Sequence, residues 1–324
     1  MYKNVLSLLH QNFSNKSINA NDISLISEHL NKQNTILILQ DILSQPELLT
    51  KIEERSYTHA LGFDKIVLAD LSKDIHSSLP KAQIRLHIWD PVNTQALPIV
   101  ESLHEHSFDF VSTVLSGSLE NQQFTFESEL SVQEKEVLET ILEWISENST
   151  DDIKILNEYL EMLEAERLQA YGSAQFSKMY GEMTDVPAII EKVSLLTSLS
   201  ENQVADILLN IQGHYVSNRI AGEKKAYKHV LSKYVSIKPY DILSIHEGEY
   251  YFHPYTLPHR LFYDNTKLNA TILLTTPVQE NPEGGSLQRP TYVQKQEQSY
   301  NKISYQTGEL KEKLEKFVEY LKNN

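Results

Sequence analysis

The chain has 324 residues, 40% of them apolar, a formal net charge of −15, twelve histidines and no cysteine. That length and apolar content suffice to bury a sizeable core, and the acidity argues against partners that need a basic surface, nucleic acid and anionic lipid among them. Without cysteine there is no disulfide, thiolate nucleophile, cysteine-held iron–sulfur cluster or sulfur-ligated zinc, so a transition metal would have to be held by histidine and carboxylate.

Residues 1–56 read as short helices. Val5, Leu8 and Leu9 give one apolar turn, and Ile23, Leu25, Ile26 and Leu30 another, opened by Asn21 or Asp22. From residue 57 the character changes. Lys65–Leu68, Ile84–Trp89 and Phe110–Leu115 are short, rich in β-branched residues and bounded by Gly, Pro or Asp, which predicts strands. A helical block follows over 126–234. Ser131-Val132-Gln133-Glu134 is a capping box ahead of Val137, Leu138, Ile141, Leu142 and Ile145 at helical spacing. A second helix carries Ile153, Leu156, Leu160 and Leu163. A third opens at Ser200, with Gln203 three residues on, and runs through Val204, Ile207, Leu208 and Ile211; Gly172, Pro187 and Gly213 read as breaks.

Strand character returns from residue 235, at Val235–Ile237, Ile242–Ile245, Tyr250–Phe252 and Ala270–Leu274. Residues 279–324 form a polar tail and then a helix striped by Leu310, Leu314, Phe317, Val318 and Leu321. Two strand-rich stretches, 57–125 and 235–278, thus flank the helical block, and barrel-rim loops tolerate such insertions at small entropic cost. Between Glu127 and Glu201 lie seventeen acids and five bases, so most of the negative excess rides on the insertion. No apolar run approaches the ~20 residues of a membrane helix and the N-terminus lacks a signal-peptide apolar region, which predicts a cytoplasmic protein without membrane contact.

His104-Glu105-His106 opens a strand-like run. Residues i and i+2 of a strand point to one face, so both imidazoles can reach one point, as a small divalent metal requires of its first two ligands. The plainer alternative is two surface histidines flanking a glutamate. Phe108 and Phe110 continue the same parity and would wall a pocket or simply fill a core, whereas Glu105 and Asp109 point the other way. His10, His29, His59, His76, His214, His229 and His246 have no spacing that recommends them. GxGxxG, GxxxxGK[ST], HExxH and GxSxG are all missing, which weakens nucleotide-cofactor, zincin and hydrolase readings.

Counting on from His104 and His106, Phe110 follows after three residues and Gly117 after six more. Much later come Gly248, Pro254, Thr256, His259 and Tyr263. This spacing resembles the two-motif signature of the cupin superfamily over 57–125 and 235–278. The resemblance implies a double-stranded β-helix (jelly-roll barrel) in a mixed β + α chain with N-terminal helices, a helical insertion and a C-terminal helix. It places His104, His106 and His259 on the family's histidine ligands. Phe110 stands where the family usually has a glutamate ligand, Thr256 where it has a turn glycine and Tyr263 where it has an asparagine.

Three histidines without a glutamate look most like the cysteine dioxygenase branch. Its His-Arg pair matches His259-Arg260, its arginine-bearing strand matches Ile84-Arg85-Leu86, and its Leu-x-Gly-x-Leu turn matches Leu115–Leu119. The branch's Ser-His-Tyr relay has no counterpart at Thr271, Leu273 and Thr275, and its cysteine–tyrosine crosslink cannot form. The resemblance implies a mononuclear non-haem enzyme holding Fe(II), with zinc, manganese or nickel as alternatives and no nucleotide cofactor. It would act with O2 on a small carboxylate-, amine- or thiol-bearing molecule, and a homodimer is compatible with it.

Arg85 is the candidate for a substrate carboxylate, which a guanidinium grips bidentately, the alternative being an ion pair with Asp90, Asp109 or Glu105. His87, Phe108, Phe110 and Arg260 join it as candidate substrate-binding residues. Tyr263, His253 and Tyr251 are candidates for catalytic or supporting roles near the ligands. A non-catalytic metal- or ligand-binding cupin and a non-redox isomerase or decarboxylase are the competing functions.

Overall fold

The computed structural model describes residues 2–13, 20–59, 63–74, 82–91, 103–127, 129–170, 186–219, 226–264, 266–276, 285–289, 299–301, 303–306 and 308–324. Four helices open the chain: α1 (Tyr2–Phe13), α2 (Ala20–His29), α3 (Lys32–Leu43) and α4 (Pro46–Arg55). Then come β1 (Tyr57–Thr58), β2 (Asp64–Asp70), the short α5 (Leu71–Asp74), β3 (Gln83–Trp89), β4 (Phe110–Ser116) and β5 (Ser118–Glu127). The insertion carries α6 (Val132–Glu147), α7 (Thr150–Ala170), α8 (Ala188–Thr197) and α9 (Glu201–Asn210). After it run β6 (Ile211–Arg219), β7 (Ala226–His246), β8 (Tyr250–His253), β9 (His259–Tyr263), β10 (Asn269–Thr275), β11 (Gly285–Gln288), β12 (Ser299–Asn301), β13 (Ile303–Ser304) and α10 (Glu309–Asn323).

The fold is mixed, with two antiparallel sheets. One has the order β13-β1-β2-β3-β10-β4-β8, the other β11-β6-β7-β5-β9, with β12 pairing β7. The chain leaves the first sheet for the second at Gly117, whose φ of 77° is a left-handed conformation natural to glycine. A Cβ there would lie 2.1 Å from Asn269 Oδ1, and that same oxygen accepts the Ser118 N–H at 3.1 Å.

Period-2 alternation sorts the first sheet's residues between two cores. Ile84, Leu86, Ile88, Val111, Leu115, Ile272 and Leu274 face outward onto Ile38, Leu39 and Ile42 of α3 and Leu314, Phe317 and Leu321 of α10. Every residue of the expected C-terminal stripe is buried, each worth about 1.5–3 kcal/mol of transfer free energy before ordering costs. Trp89, Phe110, Val114 and Leu273 face inward and meet Leu119, Ile245, Leu261 and Tyr263 of the second sheet.

The insertion has a core of its own, including Val137, Ile141, Leu156, Leu160, Ile190, Val193, Val204 and Leu208. Both expected capping boxes form, at Ser131/Glu134 and Ser200/Gln203. Three differences from the sequence reading stand out. A further helix, α8, follows Pro187, which serves as its N-cap and opens a helix as well as ending a run. The last insertion helix stops at Asn210, and strand β6 begins at once, because Tyr215, Val216 and their neighbours pair with β7 well before residue 235. Finally, the two segments expected around Pro239 form one strand, with Pro239 placed at a bulge where the register shifts opposite Gln123 and Phe124. Among the described residues no helix is long and apolar enough to cross a membrane.

Candidate metal centre

The three histidines converge. His104, His106 and His259 each offer a ring nitrogen, and the nitrogens all lie within 4.8 Å of one another. His104 makes a single antiparallel bridge to His259, N–H to O=C at 2.9 Å and 2.8 Å in the two directions, so one narrow backbone pair sets two of the three side chains. The expected strand around His104 is only this bridge; regular pairing begins at Phe110. The His106 and His259 Nε2 atoms are 3.0 Å apart. That is the length of an imidazole–imidazole hydrogen bond, and also about the separation of two nitrogens bound at right angles to one ion with bonds of ~2.1 Å, so a metal could replace the shared proton without moving the rings.

Protonation favours ligation. Burial holds the pKa of both His106 and His259 well below the usual imidazole range, with neighbouring histidines pushing the same way. His259 Nδ1–H donates to Asn121 Oδ1 at 2.8 Å, which leaves the Nε2 lone pair for a metal. His253 stacks on His259, with ring centroids 3.9 Å apart and planes inclined by 30°. Both its nitrogens are occupied: Nε2–H donates to the Leu257 carbonyl at 3.0 Å, and Nδ1 accepts from Gln123 Nε2 at 3.3 Å. His253 therefore braces the turn that delivers His259, and burial pushes its pKa down to about 3.

Phe108 and Phe110 wall the site, at 4.9 Å and 5.2 Å from the His106 ring between centroids. Arg85 lies over the Phe108 ring, its guanidinium carbon 4.6 Å from the ring centroid, and its Nε–H donates to Gln83 Oε1 at 2.9 Å. Among the described residues no carboxylate forms an ion pair with it. Asp109 accepts the Tyr255 N–H at 2.8 Å and Glu105 contacts His214 at 3.3 Å, so two of the three acids considered as partners are engaged elsewhere. Burial lowers the Arg85 pKa to about 10, against the opposing pull of Asp70, which leaves it a cation at neutral pH.

Strand register places the remaining candidates. The rows Gln83–Thr275–Phe110–His253 and Arg85–Leu273–Ser112–Tyr251 run side by side across the first sheet. Tyr251 therefore sits in the Arg85 row, one layer below the histidines. His87 and Trp89 lie deeper, with ring centroids 5.8 Å apart, and Tyr263 packs on Trp89 at 5.5 Å. Four residues of strand separate Tyr263 from His259, a rise of ~13 Å. His87 and Tyr263 thus belong to the floor of the interior. Arg260 turns the other way: adjacent to His259 in a strand, it faces the opposite side, where it donates to Gln122 Oε1 at 2.8 Å and pairs with Glu164 at 3.2 Å. Strand alternation takes Arg260 out of the set expected to face a substrate.

Residues that sequence reasoning did not single out complete the site. Asn121 and Gln123 on β5 hold His259 and His253, and their signal is an amide at positions that share the parity of apolar Leu119. Glu164 carries a helical signal, four residues after Leu160 on the apolar stripe of α7. His214, given no role by its spacing, packs against Glu105. No protein-family model matches the chain, and no curated protein is similar enough to count as a relative.

Proposed function

We propose that the chain is a cupin-type mononuclear metal enzyme that holds Fe(II) on His104, His106 and His259 and oxidises a small carboxylate-bearing molecule with O2. The observation that carries the reading is the 3.0 Å approach of two neutral imidazole nitrogens, the half-buried His106 Nε2 and the buried His259 Nε2. The strand order supports the jelly-roll part of it, since β3 and β10, early and late in the chain, lie side by side while β5 and β9 pair in the facing sheet. Three neutral ligands leave an ion its full charge and open positions, which in iron(II) sites serve to bind substrate and O2 side by side.

This chain's own residues supply the rest. Arg85 orients a carboxylate, and its charge opposes the acidity of the chain at the one place where an anion must enter. Phe108 and Phe110 exclude water from the face of His106. Asn121 fixes the His259 tautomer, and its Nδ2, buried and without a partner among the described residues, adds a donor beside the site. Trp89 Nε1, a donor, and His87 Nε2 are buried and without a partner among the described residues in the layer below, so the interior suits a polar substrate that can accept from Trp89.

The test is oxygen uptake by protein reconstituted with Fe(II), against a panel of small thiol and amino carboxylates. Uptake that depends on both Fe(II) and substrate, and that disappears in His104→Ala and His259→Ala, supports the proposal. Tight metal binding with no turnover on the panel points to a binding protein, and turnover that persists under strict anoxia points to non-redox chemistry.

A further inference from the structure

Each ligand-bearing segment is tethered to the helical insertion through the residue next to a ligand. Glu105, between His104 and His106, reaches His214 of β6 at 3.3 Å, and β6 continues directly from α9. On the other segment, Arg260 follows His259 and meets Glu164, which projects from α7. The Arg260 guanidinium spans the Glu164 carboxylate, Nη2 to Oε1 at 3.2 Å and Nη1 to Oε2 at 3.4 Å, while its Nε–H donates to Gln122 at 2.8 Å. Phe124 and Phe262 lie beside the guanidinium at 5.5 Å and 6.0 Å, so it sits in an apolar setting where an unmatched charge is costly. Arg289 donates to the same Glu164 Oε2.

We propose that Glu164 is a positioning residue for the metal centre, holding Arg260 and thereby the strand position of His259, so that the helical insertion tunes how tightly and in what geometry a metal is bound. This rests on the three-histidine metal reading above. The Glu164 carboxylate is built to stay charged: burial alone would raise its pKa, but Arg260 and Arg289 outweigh burial and hold it below the usual carboxylate range. The lever is short. His259 and Arg260 are consecutive in a strand whose backbone pairs with His104 on one side and β5 on the other, so a shift of Arg260 toward solvent carries His259 Nε2 away from His106. Groups behind metal ligands commonly change affinity by 10–100-fold when removed. The arrangement also gives the acidic insertion a reason to sit between the two halves of the metal site's scaffold.

The experiment titrates Co(II) into the full chain against a competing chelator, at a temperature where every variant is folded by circular dichroism, and records the visible d–d spectrum. Glu164→Gln is expected to weaken Co(II) about tenfold and to shift the d–d bands. Glu164→Asp keeps the charge and provides a milder, folded variant, with an intermediate loss expected. Arg289→Gln strips the same carboxylate of its other partner but leaves Arg260 in place, and a change of less than threefold is expected. Wild-type affinity and spectrum in Glu164→Gln would overturn the proposal, as would an Arg289→Gln effect equal to that of Glu164→Gln, which marks general destabilisation. Failure of the wild type to take up one Co(II) would instead overturn the metal reading itself, and the proposal with it.

Discussion

The sheet interior and the helical insertion solve opposite problems with the same chain. The interior collects imidazoles, amides, aromatic rings and one guanidinium on inward positions two residues apart, and the buried acid nearest that guanidinium, Asp70, is held off by Gln83, which donates to it at 3.2 Å and accepts from Arg85 at 2.9 Å. The insertion closes an apolar core of its own and sends Glu164 in to Arg260 and Arg289, while Glu134 accepts from Ser236 of β7 at 2.7 Å. A chain with a charge of −15 thus keeps a cation, Arg85, on an inward row of its first sheet. The lesson is that net charge described the solvated helices and said nothing of the site.

The sharpest way to break that contrast is to remove a ligand. His259→Ala should lower affinity for a divalent ion by at least about 1,000-fold, checked by metal analysis after dialysis, because two imidazoles remain and the backbone bridge to His104 is unaffected. Retained stoichiometric metal would place the binding elsewhere.

Acid should then distinguish the two regions. In metal-free protein His87, His106, His253 and His259 are all held neutral by burial, whereas in the unfolded chain each protonates near pH 6.5. The unfolded state therefore binds more protons below that value, and stability present above it is lost as pH falls, by about 5 kcal/mol per pH unit for the four together. Urea titrations at pH 7.5 and pH 5.5 should show this steep loss for the sheets. A flat profile would mean that these rings are wetter than their surroundings imply.

The insertion answers to packing instead. Leu156→Ala, at a fully buried position, should cost about 2–5 kcal/mol in thermal or urea unfolding by opening a cavity among α6–α9. Its effect on metal affinity should be small unless the tether through Glu164 is lost with it.

A smaller and more selective effect is expected at Arg85. Arg85→Met keeps the stem over Phe108 and removes the charge, so carboxylate ligands should weaken about tenfold in a binding assay while metal affinity is unchanged. Smallest of all, Ser131→Ala removes one half of the α6 capping box and should cost about 1 kcal/mol, visible as a slight drop in melting temperature.

Much of this was legible in advance because it is local. Helical spacing announced α6, α7, α9 and α10, and the capping boxes at Ser131 and Ser200 formed as written. His104 and His106 declared themselves by a spacing of two. What stayed illegible depends on pairs far apart in sequence. Nothing near Asn121 says that it receives the Nδ1 proton of His259, and nothing near His253 says that it stacks on that ring instead of facing the site. Arg260 read as a substrate group because His259-Arg260 matches the His-Arg pair of the resembled branch, and that match outweighed the alternation that sends it to the opposite face. The strand from Ile211 was hidden because its partners, Tyr227 to Ser236, lie beyond a helix-to-strand junction that short-range periodicity cannot see.

The sequence by itself determined the alternation of secondary structure, the absence of sulfur chemistry, the acidity of the insertion and the pairing of His104 with His106, since these follow from residue type and short-range spacing, whereas His259 was reached only through the resemblance to the cupin signature. Only the tertiary structure decided that His259 meets His104 across one backbone bridge, that no acid among the described residues pairs with Arg85, and that a glutamate of the insertion stands behind a ligand strand. Those facts depend on which strands pair and in what register, and register is set by burying one face of each strand against partners the local sequence does not contain.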